Sequence, residues 1–355
     1  NLIVQVKNNQ VMRVLPLENE SINECWLADR DRFSYEGLNS AERLTRPMIK
    51  YDNQWHEADW ETALKYVVKG LNGVSAEHGK DAIGVLASPH STTEELYLVQ
   101  KLARSFGVNN IDYRLRNAEF SAPEGISWLG TSIASLSTLQ SVLVVGSNLR
   151  KDHPLFAQRI RQAARHGCQV IALDSVERDW AIPVKHLLKH AAYQWVQALG
   201  GIAAAVAQEK GVAGPAGSFV IDDAATAVAR SLMAGERKAV LLGNAAAHHA
   251  QAAQLLALAN WIGEHTGATV GYLTEAANTV GAQFVGAHPV KGGLNAAQML
   301  SGGLKAVLLL NNEPVHDSSA GTRATDALSG AEMVVTLSPF KANMEFSDVL
   351  LPIAP

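Results

Sequence analysis

The stretch that most constrains the fold runs from Gln140 to Asp174. Ser141-Val142-Leu143-Val144-Val145 is an apolar run, too short for a helix and rich in β-branched residues, which is the pattern of a buried strand. Gly146-Ser147-Asn148 breaks it, and a polar loop continues to His153. Pro154 suits the first turn of a helix, where its missing N–H removes no bond. From there to His166, Leu155, Phe156, Ile160, Ala163 and Ala164 share one face, set against Arg159, Arg161 and Arg165. Gly167 is placed for a left-handed C-terminal cap, and Gln169 to Leu173 forms a second buried strand ending on Asp174. Strand, helix, strand is a βαβ unit, which presents a loop and a carboxylate at the strand C-termini, where α/β folds bind ligands.

The pattern of apolar strand and small polar loop recurs at 82–90, 239–249 and 306–317, with strands also expected at 111–115, 333–337 and 349–351. The spacing is too irregular for a solenoid and predicts parallel sheets with helices on both faces. Leu2–Val6 and Gln10–Leu15 alternate around Lys7-Asn8-Asn9 as a β-hairpin, and Lys50–His56 reads as a second. Asp59 is placed to cap a helix from Trp60 towards Leu71 with Trp60, Ala63, Leu64, Val67 and Val68 inward. Asn117 to Ser137 fits no regular element and carries a Pro-Glu-Gly turn at 123–125.

At 355 residues the chain exceeds the usual size of one core, so two domains are expected. A net charge of −4 gives no basic footprint for nucleic acid, and no run of eighteen apolar residues exists. Cys25 and Cys168 are the only cysteines, too few for a disulfide framework or a four-thiolate cluster, and compatible with a reducing compartment. Beginning at Asn1 without methionine, the chain is expected to be a piece of a longer protein.

The candidate site residues lie in the strand-end loops. Gly146, Ser147 and Asn148 let a backbone approach closely and offer N–H groups to an anion, and Asp174 could bond a ribose or a guanine edge. Equally, Gly146 need only make a tight turn and Asp174 need only cap a loop. No G-x-G-x-x-G, P-loop or G-x-S-x-G occurs. His248-His249 is the most conspicuous pair, but adjacent residues diverge and cannot share a metal, so a solvated helix N-terminus is expected there. His90, His153, His288 and His316 also fall in strand-end loops, while Trp26, Trp55, Trp60, Trp128 and Trp180 are expected as core or interface anchors.

Several stretches together resemble the molybdopterin oxidoreductase superfamily and, within it, the large iron–sulfur (G) subunit of bacterial NADH:quinone oxidoreductases, complex I. Leu27-Ala28-Asp29-Arg30-Asp31-Arg32-Phe33 is similar to L-C-D-K-G-R-F, Arg43-Leu44-Thr45-Arg46-Pro47-Met48 to R-L-x-x-P-L, and Trp60-Glu61-Thr62-Ala63-Leu64 to W-E-E-A-L. Gly146-Ser147-Asn148 through Pro154 resembles G-x-N…P, Gly292-Gly293-Leu294-Asn295-Ala296 the G-G-x-N loop, and Ser347-Asp348-Val349-Leu350-Leu351-Pro352 A-D-V-x-L-P. Their number and order make the resemblance specific over nearly the whole chain.

The resemblance implies a pocket at the strand-end loops for two pterin-guanine dinucleotides, with a metal ligand near Asn117-Ala118-Glu119-Phe120-Ser121. No cysteine stands there, the cluster cysteine of the first motif is Ala28, and the phosphate loop after the later strand is Asn311-Asn312-Glu313-Pro314. A glutamate there meets pyrophosphate with like charge.

The resulting expectation is an α/β protein of two interleaved domains with mainly parallel, doubly wound sheets and a small N-terminal β-rich segment. Its boundaries would be 1–44, 45–115 with 291–355, and 116–290. Gly146, Ser147, Asn148, Asp174 and Asn312 would be vestigial pterin-pocket positions, with no catalytic or metal-binding residues. The chain would be the non-catalytic body of the complex I subunit, peripheral on the cytoplasmic side of the inner membrane and packed against other hydrophilic subunits. It would hold no cofactor itself, its Fe–S clusters lying in a preceding portion. The alternatives are an active bis-molybdopterin oxidoreductase of the formate dehydrogenase or nitrate reductase type, and a free-standing nucleotide-binding protein.

Overall fold

The structure, a computed structural model, describes residues 1–120 and 125–355. Ser121, and the expected turn at 123–125 apart from Gly125, lie outside the described residues. In chain order the strands are β1 (Leu2–Lys7), β2 (Gln10–Pro16), β3 (Met48–Tyr51), β4 (Gln54–Glu57), β5 (Ile83–Ala87), β6 (Ile111–Asp112) and β7 (Ser141–Val145). They continue as β8 (Gln169–Asp174), β9 (His186–Lys189), β10 (Lys238–Leu242), β11 (Thr269–Tyr272), β12 (Ala306–Leu310), β13 (Met333–Ser338) and β14 (Val349–Pro352).

The fold is α/β with parallel-rich sheets and a small N-terminal antiparallel hairpin. Two compact units divide the chain: Asn1–Tyr35 with Ser121–Glu275, and Glu36–Phe120 with Ala276–Pro355. The junctions fall after Tyr35, Phe120 and Glu275, where 44, 115 and 290 were expected. The first 35 residues belong to the first unit, because Arg159 of the Pro154–Arg165 helix donates to the Glu20 and Ile22 carbonyls and pairs with Glu24. Residues 276–290 belong to the second, because Arg104 donates to the carbonyls of Gly286 and His288 at 2.7 and 3.1 Å. Asn278 likewise donates to the Ser91 carbonyl at 2.8 Å.

In the first unit five parallel strands run in the order β11-β10-β7-β8-β9. Alternate residues of β7 face opposite ways. Leu143 and Val145 pack with Trp195, Leu199 and Leu255 on one face, and Val142 and Val144 with Ile160 and Leu241 on the other. Each such fully buried leucine or isoleucine stabilises the fold by about 2 kcal/mol. The chain winds outward from β7 to β9, returns to place β10 beside β7, then continues to β11. The order therefore reverses between β7 and β10, the kind of switch point where α/β sheets open a crevice.

The second unit carries the order β4-β3-β14-β13-β12-β5-β6, antiparallel only at β14-β3-β4. It winds the same way and reverses between β5 and β12. The turns of both hairpins put an Asx pair at positive φ, Asn8 and Asn9 at 52° and 59°, Asp52 and Asn53 at 48° and 60°. That conformation matches the twist of the flanking strands.

Two assignments of faces are corrected. In the Trp60–His78 helix Ala63, Val67 and Val74 are buried, whereas Trp60, Leu64 and Val68 are exposed, because the sheet approaches at Gly70, where Met333 leaves no room for a Cβ. Arg159, expected on a solvated face, is buried.

Candidate functional site

At the β7 end Gly146 takes φ 62°, and its amide donates to the Leu173 carbonyl of β8 at 2.8 Å. A Cβ here would stand 2.6 Å from the Trp195 ring and 2.8 Å from the Ala246 nitrogen, so glycine is required by both backbone and space. Ser147 is 2% exposed and its Oγ has no hydrogen-bond partner among the described residues. The Asn148 amide donates to the Asp152 carboxylate at 3.2 Å, while the Asp152 amide returns to the Asn148 carbonyl at 2.8 Å. At the neighbouring β10 end, Asn244 Oδ1 is likewise buried without a partner.

Asp174, at the β8 end and 1% exposed, is already engaged. Its carboxylate accepts Arg178 Nε at 2.6 Å and Nη2 at 3.3 Å, and the Ser175 amide at 2.7 Å. His153 stacks on Phe156 and its Nε2 lies 2.7 Å from the Thr274 carbonyl, so Nε2 carries the proton and the buried Nδ1 is left as an acceptor. Burial pushes the His153 pKa down, opposed by the Thr274 carbonyl.

The β12 end in the second unit repeats the β7 turn position by position. Asn311 takes φ 52° where Gly146 takes 62°. Asn312, 3% exposed, leaves Oδ1 buried and unpartnered where Ser147 leaves Oγ, while its Nδ2 donates to the Leu86 and Leu310 carbonyls. The Glu313 amide donates to the Asp317 carboxylate at 2.8 Å, and the Asp317 amide returns to Glu313 at 2.8 Å. The parallel extends to the main chain of the two aspartates. Arg30 donates to the Asp152 carbonyl, and Arg116 to the Asp317 carbonyl at 3.0 Å. At the β5 end Ser91 Oγ is also buried without a partner.

Gly146, Ser147, Asn148 and Asp174 thus sit together at adjacent strand ends of the first unit, while Asn312 belongs to the second. The Gly292-Gly293-Leu294-Asn295 loop has a packing reason: a Cβ on Gly293 would stand 2.3 Å from the Asn109 carbonyl oxygen. Asn110 and the buried Asp112 accept the Leu294 and Ala296 amides at 2.7 and 3.1 Å. The histidine pair is corrected. His248 pairs with Glu275, and His249 stacks on Trp195 with its Nε2 at 2.9 Å from the Ala192 carbonyl. Neither is a solvated helix start, though the two rings do diverge. Of the expected tryptophan anchors Trp180 is buried, while Trp26, Trp60 and Trp128 are exposed. Trp195, at the start of the Trp195–Lys210 helix, is a second core tryptophan, more deeply buried than Trp180. Sequence reasoning also missed Asn244, Ser91, Asp152 and Asp317. Only the equal spacing of Asn148 to Asp152 and Glu313 to Asp317 after an apolar run signals the last two.

Among the described residues, Glu77, His78 and Glu332 bring possible ligand atoms within 4.8 Å of one another, on the surface. Lys305 already lies 3.1 Å from the Glu332 carboxylate and, with His78, holds its pKa below the ordinary value.

Residues 43–355 match the molybdopterin oxidoreductase family model. The chain belongs to the molybdopterin oxidoreductase family. Residues 1–36 match a second model, the NADH-ubiquinone oxidoreductase NDSU1/NuoG-like 4Fe-4S domain, and hold one cysteine, the exposed Cys25. Family members similar to it carry provisional formate dehydrogenase names. One from Staphylococcus aureus (strain USA300) is 30% identical over 169 residues, 46% of this chain and 17% of that protein. One from Bacillus subtilis (strain 168) is 29% identical over 186 residues, 50% of this chain and 19% of that protein. The matched stretch therefore spans under a fifth of these relatives. Among solved structures the acetylene hydratase from Pelobacter acetylenicus shares the fold, with a TM-score of 0.70 at 12% identity, covering 99% of this chain and 61% of that one.

Molybdopterin, the group the family name implies, carries a phosphate that needs free N–H groups or cations. At the β7 and β12 ends the chain's own carboxylates hold the Asn148 and Glu313 amides, and Arg178 is committed to Asp174. Two full charges of one sign 4 Å apart repel by about 4 kcal/mol at an effective dielectric near 20. These residues do not fit a phosphate group in either turn. No helix among the described residues is long and apolar enough to cross a membrane.

Proposed function

We propose that this chain is the body of the large iron–sulfur subunit of an NADH:quinone oxidoreductase of the complex I type, in which the two α/β units act as scaffold and carry out no chemistry. Its place would be peripheral, on the cytoplasmic face of the inner membrane against other hydrophilic subunits. Electron transfer would belong to iron–sulfur clusters held outside these α/β units. The observation that carries this reading is the internal consumption of Asp174, the strand-end carboxylate best placed for a nucleotide, by Arg178 and the Ser175 amide. The match of residues 1–36 to an NDSU1/NuoG-like domain supports the complex I assignment.

A second reading, an active molybdenum or tungsten enzyme, is favoured by the provisional names of the matched relatives. Metal analysis of the protein purified in its native complex decides between them. The scaffold reading expects iron without molybdenum or tungsten and no pterin fluorescence after acid oxidation. Stoichiometric molybdenum or tungsten with pterin overturns it.

A further inference from the structure

We propose that residues 1–36, the stretch that matches a 4Fe-4S domain, hold no cluster and are ordered instead by a polar anchor built on Asn23 and Glu24. The donor set does not fit the metal. A 4Fe-4S cluster is held by the thiolates of four cysteines. Residues 1–36 supply one, Cys25, and contain no histidine. Their carboxylates are hard oxygen ligands, suited to calcium or magnesium rather than to iron–sulfur chemistry. Glu24, moreover, is already taken by Arg159 and Gln162. Cys25 stands exposed just past the bridge between Asn19 and Glu24.

A segment this small needs a staple. A two-stranded hairpin is marginal by itself, β1 is exposed along its whole length, and a structural metal is a common substitute for a core in such modules. Here side chains take that place. Asn23, 2% exposed, donates through Nδ2 to the Leu17 and Trp26 carbonyls at 3.0 Å each, which joins the exit of β2 to the turn after it. The Leu17 amide donates in turn to the Asn1 carbonyl at 3.1 Å. Between them, Asn19 and Glu24 close the loop with main-chain hydrogen bonds of 2.9 and 2.8 Å. The Glu24 carboxylate then meets Arg159 and Gln162, and Arg30 reaches the Asp152 carbonyl, all within one compact unit. The segment is thus fixed to the α/β body without a ligand bond. The inference deepens the scaffold reading and rests on it only in placing electron transfer outside these residues.

The test has two arms. In the protein purified in its native complex, Cys25→Ser should leave the iron content and the reduced-state electron paramagnetic resonance spectrum unchanged. Iron or a cluster signal lost from that variant overturns the proposal. The second arm follows limited proteolysis within 17–33 of the purified full chain, before and after treatment with an iron chelator. The wild-type chain should be cut at one rate in both conditions. Asn23→Leu, close in volume but without donors, should be cut about tenfold faster, because cleavage tracks the population of the opened segment. Glu24→Gln, which keeps the shape and loses the charge, should be cut faster by a smaller factor; it decides the matter should Asn23→Leu fail to fold. Chelation that speeds cleavage of the wild-type chain, or folded variants of both kinds cut at the wild-type rate, overturns the proposal. Molybdenum or tungsten with pterin in the native protein would sink the scaffold reading and leave this inference standing, whereas iron lost from Cys25→Ser sinks only this one.

Discussion

The Arg159 guanidinium lies 3.2 Å from the Glu24 carboxylate, with 7% and 18% of the two side chains exposed. Gln162 donates to both oxygens of the same carboxylate at 3.0 Å, so the N-terminal segment is held to the Pro154–Arg165 helix at a nearly dry ion pair. Removing one partner leaves the other charge buried and unmatched. Arg159→Ala should cost about 3 kcal/mol in chemical denaturation and expose 17–33 to limited proteolysis. A loss below about 0.5 kcal/mol, the scale of a surface substitution, would show the pair to be incidental.

Gly146→Ala separates backbone strain from crowding. It meets a left-handed φ and the Trp195 ring at once, whereas Gly211, also left-handed, has nothing within 4 Å of a Cβ. Gly211→Ala should cost about 1 kcal/mol and Gly146→Ala about 3, the excess being overpacking. Equal costs by urea unfolding would mean that Trp195 gives way freely.

Burial lowers the His153 pKa, so the unfolded chain binds a proton that the folded chain declines. The stabilisation is complete above the unfolded value of about 6.5 and is lost as pH falls from there through the folded value. Between those values stability should fall on acidification by up to about 1.4 kcal/mol per pH unit, and His153→Phe should flatten the profile in that window. An unchanged slope in the variant would assign the acid sensitivity elsewhere.

Burial pushes the Cys168 thiol up to about 11, while Cys25 is exposed. A thiolate-directed reagent near neutral pH should titrate one thiol in the native protein and two in denaturant. Two fast thiols in the native state would mean that the segment leading into β8 opens readily.

What the sequence determined by itself is the set of elements whose signal is local. The run Ser141–Val145 followed by Pro154 and Gly167 is a strand, a helix start and a helix end whatever surrounds it, and all appear where periodicity puts them. The α/β class follows from repeating that pattern. β9 and β11 were not legible: at four residues each and incompletely buried, they are strands because β8 and β10 offer hydrogen bonds. Tertiary structure alone decided the site. Whether Asp174 greets a ligand or an arginine depends on how 175–178 folds back, and whether Arg159 meets water or Glu24 depends on a segment far away in sequence. Composition cannot report such pairings, because a charged residue on a helix has the same local preference in either environment. Only the fold says which charge lies opposite.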